Sequence, residues 1–203
     1  SSDLETALRH LLDLQTPDGG WGWFKGMYPS QEITLYILKG MSQLTELNAV
    51  EYNQQEKEMQ IKALTFVDKQ IQSDYEALQK IKNWQKNEIS PLEIEYLFVR
   101  SNYRDIPELG SAREAIRYYT NLAEKQWDKQ SIHGKGEIAW LMWRNGNKEI
   151  AGKIITWLRK TASISPDKGM YWANNRSRAN AFASPIDTHC LLMALFNEVS
   201  PDK

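Results

Sequence analysis

The sequence predicts an all-α fold, a set of helix hairpins stacked around a shared axis. Three observations predict it. Apolar residues recur at helical spacing along nearly the whole chain, helix-start signatures stand where the periodic segments begin, and a Gly-aromatic loop between two helices occurs twice.

The elements follow in order. Leu4, Leu8, Leu11 and Leu12 form one stripe, and Ile33, Ile37, Met41 and Leu44 a second. A long segment around Gln54–Lys86, rich in Gln, Lys and Glu, carries Met59, Ala63, Phe66, Val67 and Ile71, then Tyr75, Leu78 and Ile81. Its polar face suits an outward helical arm, while its apolar stripe requires cover on one side. Ile94, Leu97 and Phe98 mark the next helix, Ala112, Ile116, Tyr119 and Ala123 another, and Ile150, Ile154, Trp157 and Leu158 another. Ser90-Pro91-Leu92-Glu93 places a serine at N-cap, a proline where a missing N–H is harmless, and an acid that reaches back to the cap; Ser184-Pro185-Ile186-Asp187 repeats the device. Asp105-Ile106-Pro107, His133-Gly134-Lys135-Gly136 and Asn145-Gly146-Asn147 read as tight connections between helices. No period-2 run of β-branched residues competes, and no long linker divides residues 1–203, which are expected to form one helical domain.

Composition narrows the classes of partner. With 25 Lys and Arg against 26 Asp and Glu the formal net charge is -1, which gives no electrostatic drive toward nucleic acid. A single cysteine, Cys190, excludes an internal disulfide framework and a multi-cysteine metal site. No run is apolar for the roughly 18 residues that a membrane-spanning helix needs. The chain opens on Ser1, as an excised domain of a larger protein would.

The loop Gln15-Thr16-Pro17-Asp18-Gly19-Gly20-Trp21-Gly22-Trp23-Phe24 is the most distinctive segment. Glycine permits positive φ and close backbone approach, and Trp21, Trp23 and Phe24 bring large apolar area, so the loop is expected to plug the junction of two helices. Its echo is Pro166-Asp167-Lys168-Gly169-Met170-Tyr171-Trp172, leading into a helix with Ile186, Thr188, Leu192 and Leu195, as the first loop leads into Ile33, Thr34, Leu38 and Met41. Two helix–loop–helix units argue for stacked hairpins, since one hairpin alone cannot bury its apolar face.

Gln15, Gly19 and Trp21 match the Gln-x-x-x-Gly-x-Trp repeat of the squalene cyclase type of terpene cyclase. The longer string Asp18–Phe24, followed by Ser30, Ile33 and Thr34, resembles the thioester-bearing helical domain of bacterial alpha-2-macroglobulin-like proteins. Lys168-Gly169-Met170-Tyr171-Trp172 and the closing helix with Thr188, Leu191, Leu192 and Ala194 are similar to the end of that domain. The resemblance covers residues 4–44 and 165–199 best. Both families share an α/α-toroid, which is the architecture it implies here, in partial form because the chain is short for a full ring. It further implies a non-enzymatic module of a large extracytoplasmic protein that entangles attacking proteases, with neighbouring domains of the same chain and the target proteases as partners. That family's reactive Cys-x-Glu-Gln motif is missing: Cys190 is followed by Leu191-Leu192-Met193.

Other chemistries find weaker footing. Asp18 and Asp167 occupy matching places in the two loops and suggest the paired carboxylates of a sugar hydrolase, yet acids in Pro-Asp turns ordinarily accept backbone N–H groups. Asp187, His189 and Cys190 suggest zinc, but on a helix His189 points about 100° away from Cys190, so buried packing is the better expectation. His10 and His133 have no nucleophile motif beside them. No Asp-x-Asp-Asp acid motif supports cyclase chemistry. A toroid enzyme acting on carbohydrate or terpenoid substrates is therefore the alternative function, and neither a catalytic residue, a cofactor nor a metal ligand is assigned. Trp140 and Trp143 on one helix suit core filling or a groove. The structural or interaction residues singled out are Trp21, Trp23, Phe24, Tyr171, Trp172, Arg176 and Arg178, with the two arginines suited to an acidic partner surface.

Overall fold

The helical periodicity is realised in eight α-helices among the described residues: α1 (Ser2–Leu14), α2 (Gln31–Glu46), α3 (Gln54–Leu78), α4 (Pro91–Ser101), α5 (Arg113–Gln126), α6 (Ile132–Arg144), α7 (Lys148–Thr161) and α8 (Pro185–Val199). The computed structural model describes residues 2–167, 169–175 and 184–199. Among the described residues strand content is one short antiparallel hairpin, β1 (Ser163–Ser165) and β2 (Gly169–Tyr171), with Ile164 opposite Met170. The protein is all-α in class. The hairpin escapes period-2 analysis because each strand is only three residues long.

The chain divides into two compact units, Ser1–Lys86 with Asn102–Arg117, and Asn87–Ser101 with Tyr118–Lys203. In the first, α1 and α2 both pack on α3, which buries Met59, Ala63, Phe66, Val67, Ile71 and Tyr75. α3 begins in a capping box: the Asn53 side chain accepts from Glu56 N–H while the Glu56 carboxylate accepts from Asn53 N–H. It stops at Leu78, short of the arm expected to reach Lys86; Asn83 takes a left-handed φ of 63° and a 3₁₀ turn (Trp84–Lys86) follows. Buried polar groups tie later segments to this layer. The Tyr52 hydroxyl donates to Met41 O (2.9 Å), the Tyr103 hydroxyl to Leu38 O (2.6 Å), and Leu109 N–H to the Asp68 carboxylate (2.8 Å).

In the second unit α6 is central and packs on α4, α7 and α8. Every residue from His133 to Met142 is buried, the signature of a helix surrounded on all sides. The His133–Gly136 stretch, expected as a connection, is instead the first turns of α6, started by Ser131, whose hydroxyl accepts from Gly134 N–H (3.1 Å). Its glycines serve packing rather than a turn. A Cβ on Gly136 would lie 2.9 Å from Leu192 Cδ2, so any larger residue would force the leucine tips of α8 to shift. The caps at Ser90 and Ser184 form as the sequence predicts, with Ser90 N–H donating to Glu93 (2.6 Å) and Ser184 N–H to Asp187 (2.9 Å).

Candidate functional site

The first Gly-aromatic loop is built from the end of α1 outward. The Gln15 side-chain amide donates to Gly19 O (2.7 Å) and to Met59 O on α3 (2.9 Å), stapling α1, the loop and α3 with one group. Thr16 N–H donates to Gly20 O (2.9 Å) and Gly19 N–H to Thr16 O (2.9 Å), closing a tight turn. Gly19 has φ 97°, and a Cβ there would lie 2.4 Å from Lys62 O, so the turn demands glycine twice over. Trp21 is fully buried, with its indole N–H on Leu11 O (2.8 Å), its backbone N–H on Thr34 Oγ1 (3.0 Å) and its carbonyl accepting from Ser30 N–H (2.8 Å).

The second loop repeats the key contact in the other unit. Trp172 is buried and its indole N–H donates to Leu158 O (2.9 Å). Leu11 and Leu158 are each the fourth residue from the end of the preceding helix, α1 and α7, and each carbonyl takes the indole as an additional donor, beside Gln15 N–H at Leu11 (3.0 Å) and the Thr161 hydroxyl at Leu158 (3.2 Å). The next helices match as well. Ser30 and Ser184 cap α2 and α8, and four residues on Thr34 and Thr188 each return a hydroxyl to the capping carbonyl, at 2.7 Å and 3.1 Å. The sequence echo is thus a structural repeat: helix, indole on its C-terminal carbonyl, loop, Ser cap, Thr back-bond.

The two halves differ in what meets the threonine. Thr34 Oγ1 accepts from the Trp21 backbone, whereas Thr188 Oγ1 lies 3.1 Å from His133 Nδ1, whose Nε2 is 3.2 Å from Glu137 Oε1. All three side chains are buried. This polar chain joins α6 to α8, and only the i, i+4 spacing of His133 and Glu137 hinted at it in the sequence. Lys135, also buried, donates to the carbonyls of Asp128 and Gln130 and faces the Trp157 ring at 4.6 Å. Burial holds its pKa below the ordinary lysine range. Farther along α6, Glu198 accepts from the Trp140 indole (2.5 Å) and Arg144 (3.3 Å), while Arg144 lies over the Trp140 ring at 4.5 Å. The contacts that Thr188 and Glu198 make with α6 fix α8, and they cannot be read from sequence because the partners lie 54 or more residues apart.

The remaining sequence candidates separate. Of the three rings expected to plug the first junction, only Trp21 does so; Trp23 and Phe24 are exposed, because the chain turns outward after the Trp21–Ser30 bridge. Tyr171 is half-buried at the end of β2. Arg176 and Arg178 lie outside the described residues. Asp18 and Asp167 are each exposed, and His10 is exposed on α1. His189 meets the Trp172 ring edge-on at 5.7 Å, and Cys190, expected to pack in the interior, is exposed. Trp140 is core, packed on Phe98 at 5.4 Å between ring centroids. Among the described residues no three His, Cys, Asp or Glu side chains gather where a metal ion would bind, and no helix is long and apolar enough to cross a membrane. No protein-family model and no curated protein matches this chain.

Proposed function

We propose that this chain is a non-enzymatic helical module of an alpha-2-macroglobulin-like protease-trapping protein, working without a Cys-x-Glu-Gln thioester among these residues. The observation that carries the proposal is the paired loop. Of the residues through which the sequence resembles that family, Gly19, Trp21, Ser30, Thr34, Trp172 and Thr188 act as turn, caps and buried anchors, while Asp18 stands exposed, as do Asp167 and His10. A distinctive motif whose buried residues all serve as scaffold, with Trp23 and Phe24 left exposed, suits a module whose work is mechanical, transmitting or resisting a rearrangement of the protein around it. On this reading the parent protein is extracytoplasmic, its neighbouring domains are the module's direct partners, and attacking proteases are its targets.

The test is the parent protein. Its flanking sequence is expected to encode β-sandwich domains and an N-terminal export signal. Limited cleavage of the purified parent by a protease is expected to shift its hydrodynamic radius and retain the protease in a complex. A parent gene encoding these residues alone, or a cleaved parent that neither changes shape nor retains protease, refutes the proposal.

A further inference from the structure

The exposed rings after Trp21 form a feature that the buried scaffold does not explain. In the six residues Trp23-Phe24-Lys25-Gly26-Met27-Tyr28, Trp23 is 51% exposed, Phe24 75%, Met27 49% and Tyr28 94%. The loop that displays them is fixed at its base. Ser30 N–H donates to Trp21 O (2.8 Å), Met27 N–H to Phe24 O (3.1 Å), and a Cβ on Gly22 would lie 2.8 Å from Tyr28 O, so the two sides of the loop are in close contact. Buried Trp21 anchors this base to α1 and α2. The backbone that carries the rings is held in a defined geometry, which lowers the ordering cost of binding.

Area and charge narrow the occupant. Taking aromatic side chains at about 150–250 Å² each, the four residues offer roughly 500 Å² of mostly apolar surface. That falls short of the approximately 800 Å² per partner of a stable complex between free proteins. A covalently tethered partner needs less, because its effective concentration reaches the millimolar range. Lys25 is the single charged side chain of the six, so the loop has little with which to read the hydroxyls of a glycan or to hold a polyanion.

We infer that the Trp23–Tyr28 loop is the docking knob for an adjoining domain of the same polypeptide, one presenting an apolar face with an acidic group opposite Lys25. The inference rests on the proposed place of the chain in a larger protein and names the surface through which it is held there.

Thiol labelling in the parent protein tests it. In a Cys190→Ser background, Phe24→Cys and Leu47→Cys are compared; Leu47 belongs to the same unit and is equally exposed, at 75%. Position 24 is expected to label at least tenfold more slowly than position 47 in the parent, and at the same rate once the flanking domains are removed. Equal rates in a parent that does carry flanking domains overturn the docking inference and leave the functional proposal intact. A parent without further domains overturns both. Phe24-dependent flotation of the 203-residue chain with phosphatidylcholine–phosphatidylserine vesicles identifies a lipid surface as the occupant and likewise overturns the inference.

Discussion

Replacing Trp21 by alanine removes a large, fully buried ring at the junction of α1, its loop and α2. Truncating a buried aromatic leaves a cavity and costs about 3–5 kcal/mol. The indole hydrogen bond adds little to that figure, because Leu11 O still accepts from Gln15 N–H at 3.0 Å and is not orphaned. Trp21→Phe separates the two contributions: it keeps most of the apolar fill and is expected to lose only about 1–2 kcal/mol, from a missing hydrogen bond and imperfect fit. Urea unfolding followed by far-ultraviolet circular dichroism reads both variants. In a thermal scan, a chain of this length shifts by about 2–4 °C per kcal/mol, so the alanine variant should melt roughly 6–20 °C lower. A Trp21→Ala protein within about 1 kcal/mol of the parent chain would refute the claim that this ring anchors the loop. Trp172→Ala provides the matched case, since the repeat predicts a loss of the same order.

Three further outcomes are expected. Gly19→Ala, which forces a Cβ onto Lys62 O and a side chain into positive φ, should destabilise by about 2–4 kcal/mol in denaturant titration, far more than an ordinary surface change. Glu198→Ala removes the acceptor shared by the Trp140 indole and Arg144, and should cost about 1–3 kcal/mol and raise amide exchange along α8 more than along α3. Alkaline stability should follow the buried tyrosines. Burial pushes the Tyr52 hydroxyl up to about 12 from 10.0, outweighing the Thr45 hydrogen bond that lowers it, and pushes Tyr103 up too. A raised folded pKa means stability fully present below pH 10 and lost as the pH climbs toward 12, so unfolding free energy should fall across that window and fall less steeply in Tyr52→Phe.

The helices were legible in the sequence because burial on one face leaves a 3.6-residue period, and the caps because Ser-Pro-x-acid satisfies donors a few residues away. Both are local physics. The same reasoning misread His133–Gly136, since glycine serves a turn and a close helix contact equally well, and the Leu191–Leu192 pair that decides between them is more than fifty residues distant. It also took three neighbouring rings as one plug. Nothing in the spacing of Trp21, Trp23 and Phe24 distinguishes the buried one; the turn at Gly19 and the bridge to Ser30 do.

The all-α class, the helix starts at Ser90 and Ser184 and the presence of two related loops are readable along the chain, because hydrophobic period and capping chemistry are written within a few residues. What the loops do depends on long-range packing. Whether an indole meets the C-terminal carbonyl of the helix before it, whether a threonine faces a backbone amide or a buried imidazole, and which ring points to solvent all depend on where distant segments of chain come to rest. Hydrogen bonds and close packing act over about 3–4 Å in space, with no regard for separation along the chain.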